Sequence, residues 1–376
     1  MSILLSICIP TYNRAELLRD LLHGLEKECA AYPDAIEIIV RDNCSPDNTE
    51  EIVASYQKTL RLVYIQNKTN VGIAANIYDV PDMASGRFCW ILGDDDLVVP
   101  GAIPSLLNTI NSNPDYVAYI VGYSYEPDDR RDELVRSSEP LTFTKPIFGD
   151  RIESQHLDRW EETFLLTETP GLHTSIVSCI FDLSHWQRAK KELNLNLSVE
   201  PLTTLKSTFP HTYLWSYILS GKQCYFIPQP SIYFCLGAQE WFKPKWATIM
   251  FTFLLELAQH FRKDCADEGA VRHYEEIILR EVNTLKVLLL TPNDFAKEHF
   301  SLSRLIRDYG SRDLLWQSLY TIVNEQTGKE RFALYYKVTR AALFTPHAWF
   351  PLLKFSRQIT SPRFRKLLRK ITVIKD

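Results

Sequence analysis

The sequence predicts an α/β protein. Residues 1–245 are expected to build a mostly parallel, doubly wound sheet, and residues 246–376 a mostly α-helical region. Three observations predict this. Short apolar runs alternate with helix-spaced leucines over the first hundred residues. A polar cluster closes each run at its carboxyl end. Beyond residue 245 the strand signals give way to long helical periodicity.

Taken in order, the first strand covers residues 4–9 and ends at Pro10, Thr11 and Asn13. Residues 15–25 then place Leu17, Leu18, Leu21, Leu22 and Leu25 at helical spacing. A second apolar run at 36–40 enters the polar turn 42–48, and 49–60 reads as helix. Residues 62–65 make the third strand and 73–84 the third helix. The fourth strand, 88–92, runs into Asp94, Asp95 and Asp96. Doubly wound sheets bind ligands beyond the carboxyl ends of their strands, so the clusters at 11–14, 42–48 and 94–96 are expected to share one crevice. Residues 111–245 are less regular, with strands at 116–121, 175–181 and 224–227 and a helix at 213–219. Helices are expected at 247–262, 271–290, 302–309 and 314–324.

Composition narrows the function. With 45% apolar residues, 23% charged and a net charge of −4, the 376-residue chain is an ordinary globular protein and not a globally basic nucleic-acid binder. The eight cysteines include no C-x-x-C pair, which suits reduced thiols in a cytoplasm. The apolar start at residues 2–9 is too short for a secretory leader, and no run of about 18 uncharged apolar residues occurs to span a bilayer. Residues 331–376 carry eleven Lys/Arg against Asp376 alone, so the rest of the chain is acidic.

Three adjacent carboxylates raise one another's pKa, and a divalent cation relieves that repulsion; oxygen ligands select Mg²⁺ or Mn²⁺, shared with substrate phosphates. A solvated loop or a helix start is the bland alternative. The surrounding motifs favour the metal. Residues 6–14 (SICIPTYNR), 38–47 (IIVRDNCSPD), 70–76 (NVGIAAN) and 84–96 (ASGRFCWILGDDD) occur in that order. Together they resemble the nucleotide-sugar-binding half of a family 2 glycosyltransferase of GT-A fold. The Gly-Asp-Asp-Asp form and a histidine in the second half resemble bacterial O-antigen and capsule enzymes of the abequosyltransferase-like kind.

The resemblance implies roles for matching positions. Pro10, Thr11 and Tyr12 would lie by the base and ribose, with Asn13 and Arg14 holding the base or diphosphate. Asp42 would accept a hydrogen bond from a pyrimidine N–H, and Asn43 stands where many members carry a second acid. Asn70, Gly72 and Asn76 would border the ribose and sugar, turn and cap chemistry being their alternative. Gly93 replaces the first acid of the usual pattern, which leaves the register open by one residue. The preferred assignment puts Asp94 on the ribose or a metal-bound water, Asp95 on the metal, and Asp96 toward the acceptor or capping the next helix.

Inverting transfer needs a base for the acceptor hydroxyl and no covalent nucleophile. The family's usual acid before the last helix is replaced here by His211, with Glu161, Glu162 and Glu168 as fallback acids. His173 and Trp241 are candidate acceptor contacts, a sugar face stacking on the indole. The implied activity is metal-dependent, inverting transfer of a sugar from a UDP-, CDP- or dTDP-sugar to a glycan or polyprenyl-linked acceptor. It belongs to surface-polysaccharide synthesis. A sugar-phosphate nucleotidyltransferase would need a Gly-rich start that Pro10–Thr11–Tyr12 lacks; a non-catalytic nucleotide-sugar-binding protein would explain Gly93 and the missing acid. Ser361 and Pro362 open a basic amphipathic helix carrying Phe364, Leu367, Leu368, Ile371 and Ile374. It is expected to place the enzyme peripherally on an anionic membrane at the cytoplasmic face, packing on the acidic body being the rival. No nucleic-acid partner is expected, and the oligomeric state stays open.

Overall fold

The computed structural model describes residues 3–148, 153–197, 201–237, 242–264 and 267–359. The chain forms two compact units. The first takes residues up to Glu240 together with Glu256–Tyr274; the second takes 241–255 and 275 onward. Phe261 and Tyr274 belong with the first unit because their rings pack on Phe164, at centroid distances of 4.8 and 5.4 Å.

The first unit is built on one sheet. Its strands are β1 Leu5–Thr11, β2 Ile36–Asp42, β3 Leu62–Gln66, β4 Phe88–Ile91, β5 Leu97–Val98, β6 Ala118–Glu126, β7 Lys145–Pro146, β8 Gln155–Leu157, β9 Cys179–Asp182 and β10 Cys224–Cys235. The order is β3-β2-β1-β4-β9-β6-β10-β5, with β7 beside β6 and β8 beside β10. β3, β2, β1 and β4 are parallel, as are β6 and β10. β9 runs antiparallel between β4 and β6, and β5 antiparallel on β10. β1 and β2 are buried along nearly their whole length, as parallel strands covered on both faces must be.

Helices α1 Ala15–Cys29, α2 Thr49–Tyr56 and α3 Ile73–Asp79 return the chain between these strands. α1 buries Leu18, Leu21, Leu22 and Leu25 against the sheet, the stripe its spacing predicts. α3 is shorter than expected, because Pro81 cannot continue the hydrogen-bond ladder and the chain tightens into a 3₁₀ turn at Val80–Met83. β1 runs two residues further than expected. β4 has left its flank beyond Cys8, so Pro10 lies beside β2 alone and its missing N–H breaks no ladder.

β10 is far longer than the expected four residues. Its pairing with β6 shifts register between Ile227, Pro230 and Ile232, where the two prolines force a bulge. Gly122 faces that bulge, and a Cβ there would collide with the Pro228 carbonyl. The bulge lets one strand serve β6 and then pair Ile232 and Tyr233 with β5.

The second unit is helical, with Leu302–Tyr309, Asp313–Glu325, Gly328–Ala342 and Trp349–Ile359 among its members. Val282–Leu290 is separate from Glu268–Leu279, a break the expected single helix 271–290 did not contain.

Candidate active site at the carboxyl ends of β1, β2 and β4

β4 delivers the acids through a tight turn in which Asp96 N–H donates to the Gly93 carbonyl at 3.2 Å. A Cβ on Gly93 would stand 2.8 Å from Asp95 Oδ1 and 2.7 Å from Asp96 Oδ2. Only glycine lets both carboxylates fold back over the turn. The departure from the usual acidic pattern at this position thus has a steric reason.

β1 brings the partners. Thr11 Oγ1 donates to Asp94 Oδ2 at 2.8 Å. Arg14, just before α1, sends Nη1 to Asp94 Oδ1 at 2.9 Å and to Asp95 Oδ2 at 3.2 Å. Arg131 also joins, a residue that no sequence motif marks. It opens the short helix Arg131–Arg136, donates from Nη1 to the Asp95 carbonyl at 2.6 Å, and pairs with Asp20 of α1 at 2.9 Å.

All three acids are buried. Burial raises Asp94, partly offset by Arg14; burial and then Asp94 push Asp95 up to about 6; burial and then Asp95 push Asp96 well above the usual carboxylate range. Burial works against the charge on Arg14, yet Asp94 and Asp95 hold its pKa above the ordinary value. Arg14 and Arg131 offset part of this repulsion, yet all three carboxyl pKa values stay raised, so a further cation there is electrostatically favoured. Among the described residues no group of three or more His, Cys, Asp or Glu side chains is placed to cage a metal. Asp94 and Asp95 supply two carboxylates, which suits Mg²⁺ or Mn²⁺ when diphosphate and water complete the shell.

The neighbouring cluster is a closed network. Asp42 Oδ1 accepts from Ser45 N–H at 2.9 Å and Ser45 Oγ at 2.5 Å; Oδ2 accepts from Tyr64 at 2.7 Å and Gln66 at 2.9 Å. Those four donors fill a carboxylate's acceptor sites, so here Asp42 organises the wall and is not an open acceptor for a base. Asn43 donates to Asn70 at 2.8 Å and accepts from Asn67 and Val71 N–H. Asn76 reaches the Arg41 carbonyl at 3.1 Å. Gly72 takes the left-handed φ of +87° before α3, its N–H donating to Asn70. Asn13, also at positive φ, donates its N–H to Ser45 Oγ. Asn67, Ser45, Tyr64 and Gln66 were not anticipated. Tyr12, whose backbone N–H donates to Asp94, is itself 43% exposed.

His211 sits in the first turn of the helix Pro210–Leu219, buried, with Nε2 2.9 Å from the Thr174 carbonyl and its ring 5.0 Å from that of Trp215. A carbonyl only accepts, so Nε2 carries the proton and Nδ1 is left as an acceptor with no partner among the described residues. Burial lowers its pKa to about 4.

The acceptor roles expected of Asp96 and His173 are not those their surroundings serve. Asp96 turns inward and accepts the Cys235 N–H of β10 at 3.3 Å. His173 is buried among Trp160, Phe164 and Tyr274, bonded to Thr163 Oγ1 at 2.8 Å, with its pKa pushed down by burial to about 3. Glu161 is not a surface acid: it is buried and accepts from Gly221 N–H and Ser220 Oγ, both at 2.9 Å. Glu162 accepts the Arg159 N–H at 3.1 Å. Trp241 and the basic tail beyond residue 359 lie outside the described residues.

Residues 6–181 match the profile of Glycosyl transferase family 2. Over 287 residues, 74% of this chain and 80% of the relative, the sequence is 25% identical to abequosyltransferase RfbV of Salmonella typhimurium. It is 35% identical over 109 residues to the GalNAc(5)-diNAcBac-PP-undecaprenol beta-1,3-glucosyltransferase of Campylobacter jejuni, 28% of this chain and 34% of that one. The fold is similar to S. aureus TarS 1-349, solved in complex with UDP, at a TM-score of 0.52 and 15% identity, covering 96% of this chain and 93% of the other.

Proposed function

We propose that this chain, whose residues 6–181 match Glycosyl transferase family 2 and whose fold is GT-A-like, is a family 2 glycosyltransferase that moves a sugar, with inversion, from a pyrimidine nucleotide-sugar to a hydroxyl of a glycan or polyprenyl-linked glycan. The observation that carries the reading is the under-neutralised acidic turn at the end of β4, bridged by Arg14 and flanked by the exposed Tyr12. The printed name of the Campylobacter jejuni relative, with its PP-undecaprenol-linked acceptor, supports the acceptor class, the abequosyltransferase relative supports sugar transfer, and UDP bound to TarS supports the nucleotide.

Tyr12 offers its face to the nucleoside base, and Thr11 and Arg14 hold Asp94 and Asp95 toward the diphosphate. A bound Mg²⁺ or Mn²⁺ held by Asp95 and Asp94 would act as a Lewis acid on the leaving nucleoside diphosphate. His211 is the proposed base, its Nε2–H fixed on Thr174, with the buried Nδ1 as the atom that would take the proton of the attacking hydroxyl. The basic tail, residues 356–376, is proposed to hold the enzyme on the cytoplasmic face of an anionic membrane.

The test is product analysis with UDP-, CDP- and dTDP-sugars, with Mn²⁺ and with EDTA. Release of nucleoside diphosphate that stops in EDTA supports the reading. Pyrophosphate as product would make the chain a nucleotidyltransferase, and donor binding without turnover would make it a binding protein. Full activity in EDTA would remove the metal from the proposal.

A further inference from the structure

The peptide that joins Asp95 to Asp96 is held at both of its polar groups. Its N–H, that of Asp96, donates to the Gly93 carbonyl at 3.2 Å, and its carbonyl, that of Asp95, accepts from Arg131 Nη1 at 2.6 Å. A peptide is a rigid plane, so holding it fixes ψ of Asp95 and φ of Asp96 and the directions in which both side chains leave the turn. Arg131 is itself tethered. Its Nε pairs with Asp20 Oδ2 at 2.9 Å, and its Nη2 donates to the Leu17 carbonyl at 3.3 Å, both on α1. Arg14, at the start of the same helix, takes the carboxylates of Asp94 and Asp95. α1 therefore grips the acidic turn twice, by its side chains through Arg14 and by its main chain through Arg131.

Arg131 is buried, and a guanidinium taken out of water needs its donors matched. Its neighbour Arg130 follows a different course and pairs with Glu126 and Glu133. A residue that only fastened the helix Arg131–Arg136 to α1 would need Asp20 and Leu17 and nothing more. The bond to the Asp95 carbonyl reaches past them into the turn. We propose that Arg131 is a positioning residue for the transfer reaction. It fixes the Asp95–Asp96 peptide, and through it the Asp95 carboxylate, in the orientation that receives the nucleoside diphosphate and its cation. This role rests on the sugar-transfer reading above, and adds to it a group that acts on Asp95 without touching the ligand. One planar fork reaches three acceptors on two segments, which the single ammonium of a lysine reproduces only in part.

The test is a double-variant cycle on the full-length protein, measured as the dissociation constant of UDP in the presence of Mn²⁺ by calorimetry, with turnover recorded beside it. R131Q should weaken UDP binding by on the order of 10–100-fold, and D95N by a similar factor. R131K should fall between R131Q and the wild type. Because Arg131 acts through Asp95, R131Q/D95N should bind UDP no more weakly than D95N alone. Losses that multiply in the double variant would show Arg131 acting through general packing and would overturn the proposal. Wild-type binding by R131Q while D95N is impaired would overturn it equally. Wild-type binding by D95N would instead sink the part given to Asp95 in sugar transfer, and the positioning role with it. If R131Q does not fold, R131K and R131K/D95N complete the cycle in its place.

Discussion

Thr11 Oγ1 donates to Asp94 Oδ2 at 2.8 Å, joining the last residue of β1 to the acidic turn that follows β4, 83 positions later. Both side chains are buried. Thr11→Val keeps the shape and removes the donor, so a buried carboxylate loses one of its partners. We expect a loss of about 1–2 kcal/mol in unfolding free energy, measured by urea titration, together with weaker nucleotide binding. Unchanged stability and binding would show that Arg14 alone positions Asp94.

Gly93→Ala places a methyl where two carboxylate oxygens now sit 2.7 and 2.8 Å away. Displacing Asp95 by even an ångström should reduce turnover by on the order of 10²-fold, with the melting temperature little changed. Wild-type turnover in this variant would mean that the turn is pliant and that its glycine has no steric role.

Asp95 keeps its proton in the folded chain up to about pH 6, against an ordinary value of 3.8. Between those values the folded state binds more protons than the unfolded one, so its stability falls as pH rises through the window and the full penalty is present above it. Asp95→Asn removes that penalty. The donor-free variant should melt higher than wild type at neutral pH, and the difference should vanish near pH 4. The same variant should lose the thermal shift that Mn²⁺ and nucleotide give the wild type. A variant that melts lower at neutral pH would show that Arg14 outweighs the burial.

His211 is buried with its pKa lowered to about 4. His211→Gln should lower turnover by on the order of 10²–10⁴ with nucleotide affinity kept. Because the imidazole is uncharged well below its ordinary value, the wild-type rate should show no limb near pH 6.5 assignable to it. A variant that loses stability while keeping turnover would leave His211 as a packing group on Trp215 and Thr174.

Where local pattern decides structure, the sequence was readable. β1, β2 and β4 are buried on both faces and show as mostly apolar runs, broken only by Ser6 and Glu37 before their polar ends, and the polar groups at those ends meet in Thr11, Arg14, Asp94 and Asp95. What could not be read depends on pairing between distant segments. Nothing local says that β9 inserts between β4 and β6, or that Arg131 reaches the Asp95 carbonyl. The four donors on Asp42 are equally hidden. Tyr64 and Gln66 become its neighbours only through the β2–β3 register, in which Asp42 stands opposite Gln66. His211 was found from its place before a helix, but its burial comes from Trp215 and from a carbonyl 37 residues away.

The bond from Cys235 N–H to Asp96 spans 139 positions and bears on how the chain is made. A ribosome emits Asp96 long before the strand that holds it. At roughly 5–20 residues per second the acidic turn waits on the order of ten seconds for its partner. During that interval Asp96 has its two acidic neighbours and, once residue 131 is made, Arg14 and Arg131 beside it, but lacks the strand whose N–H it accepts. Completion of the acidic turn's hydrogen bonding is therefore a late event in synthesis. A nascent chain halted before residue 235 should bind no nucleotide, however well its first four strands have paired.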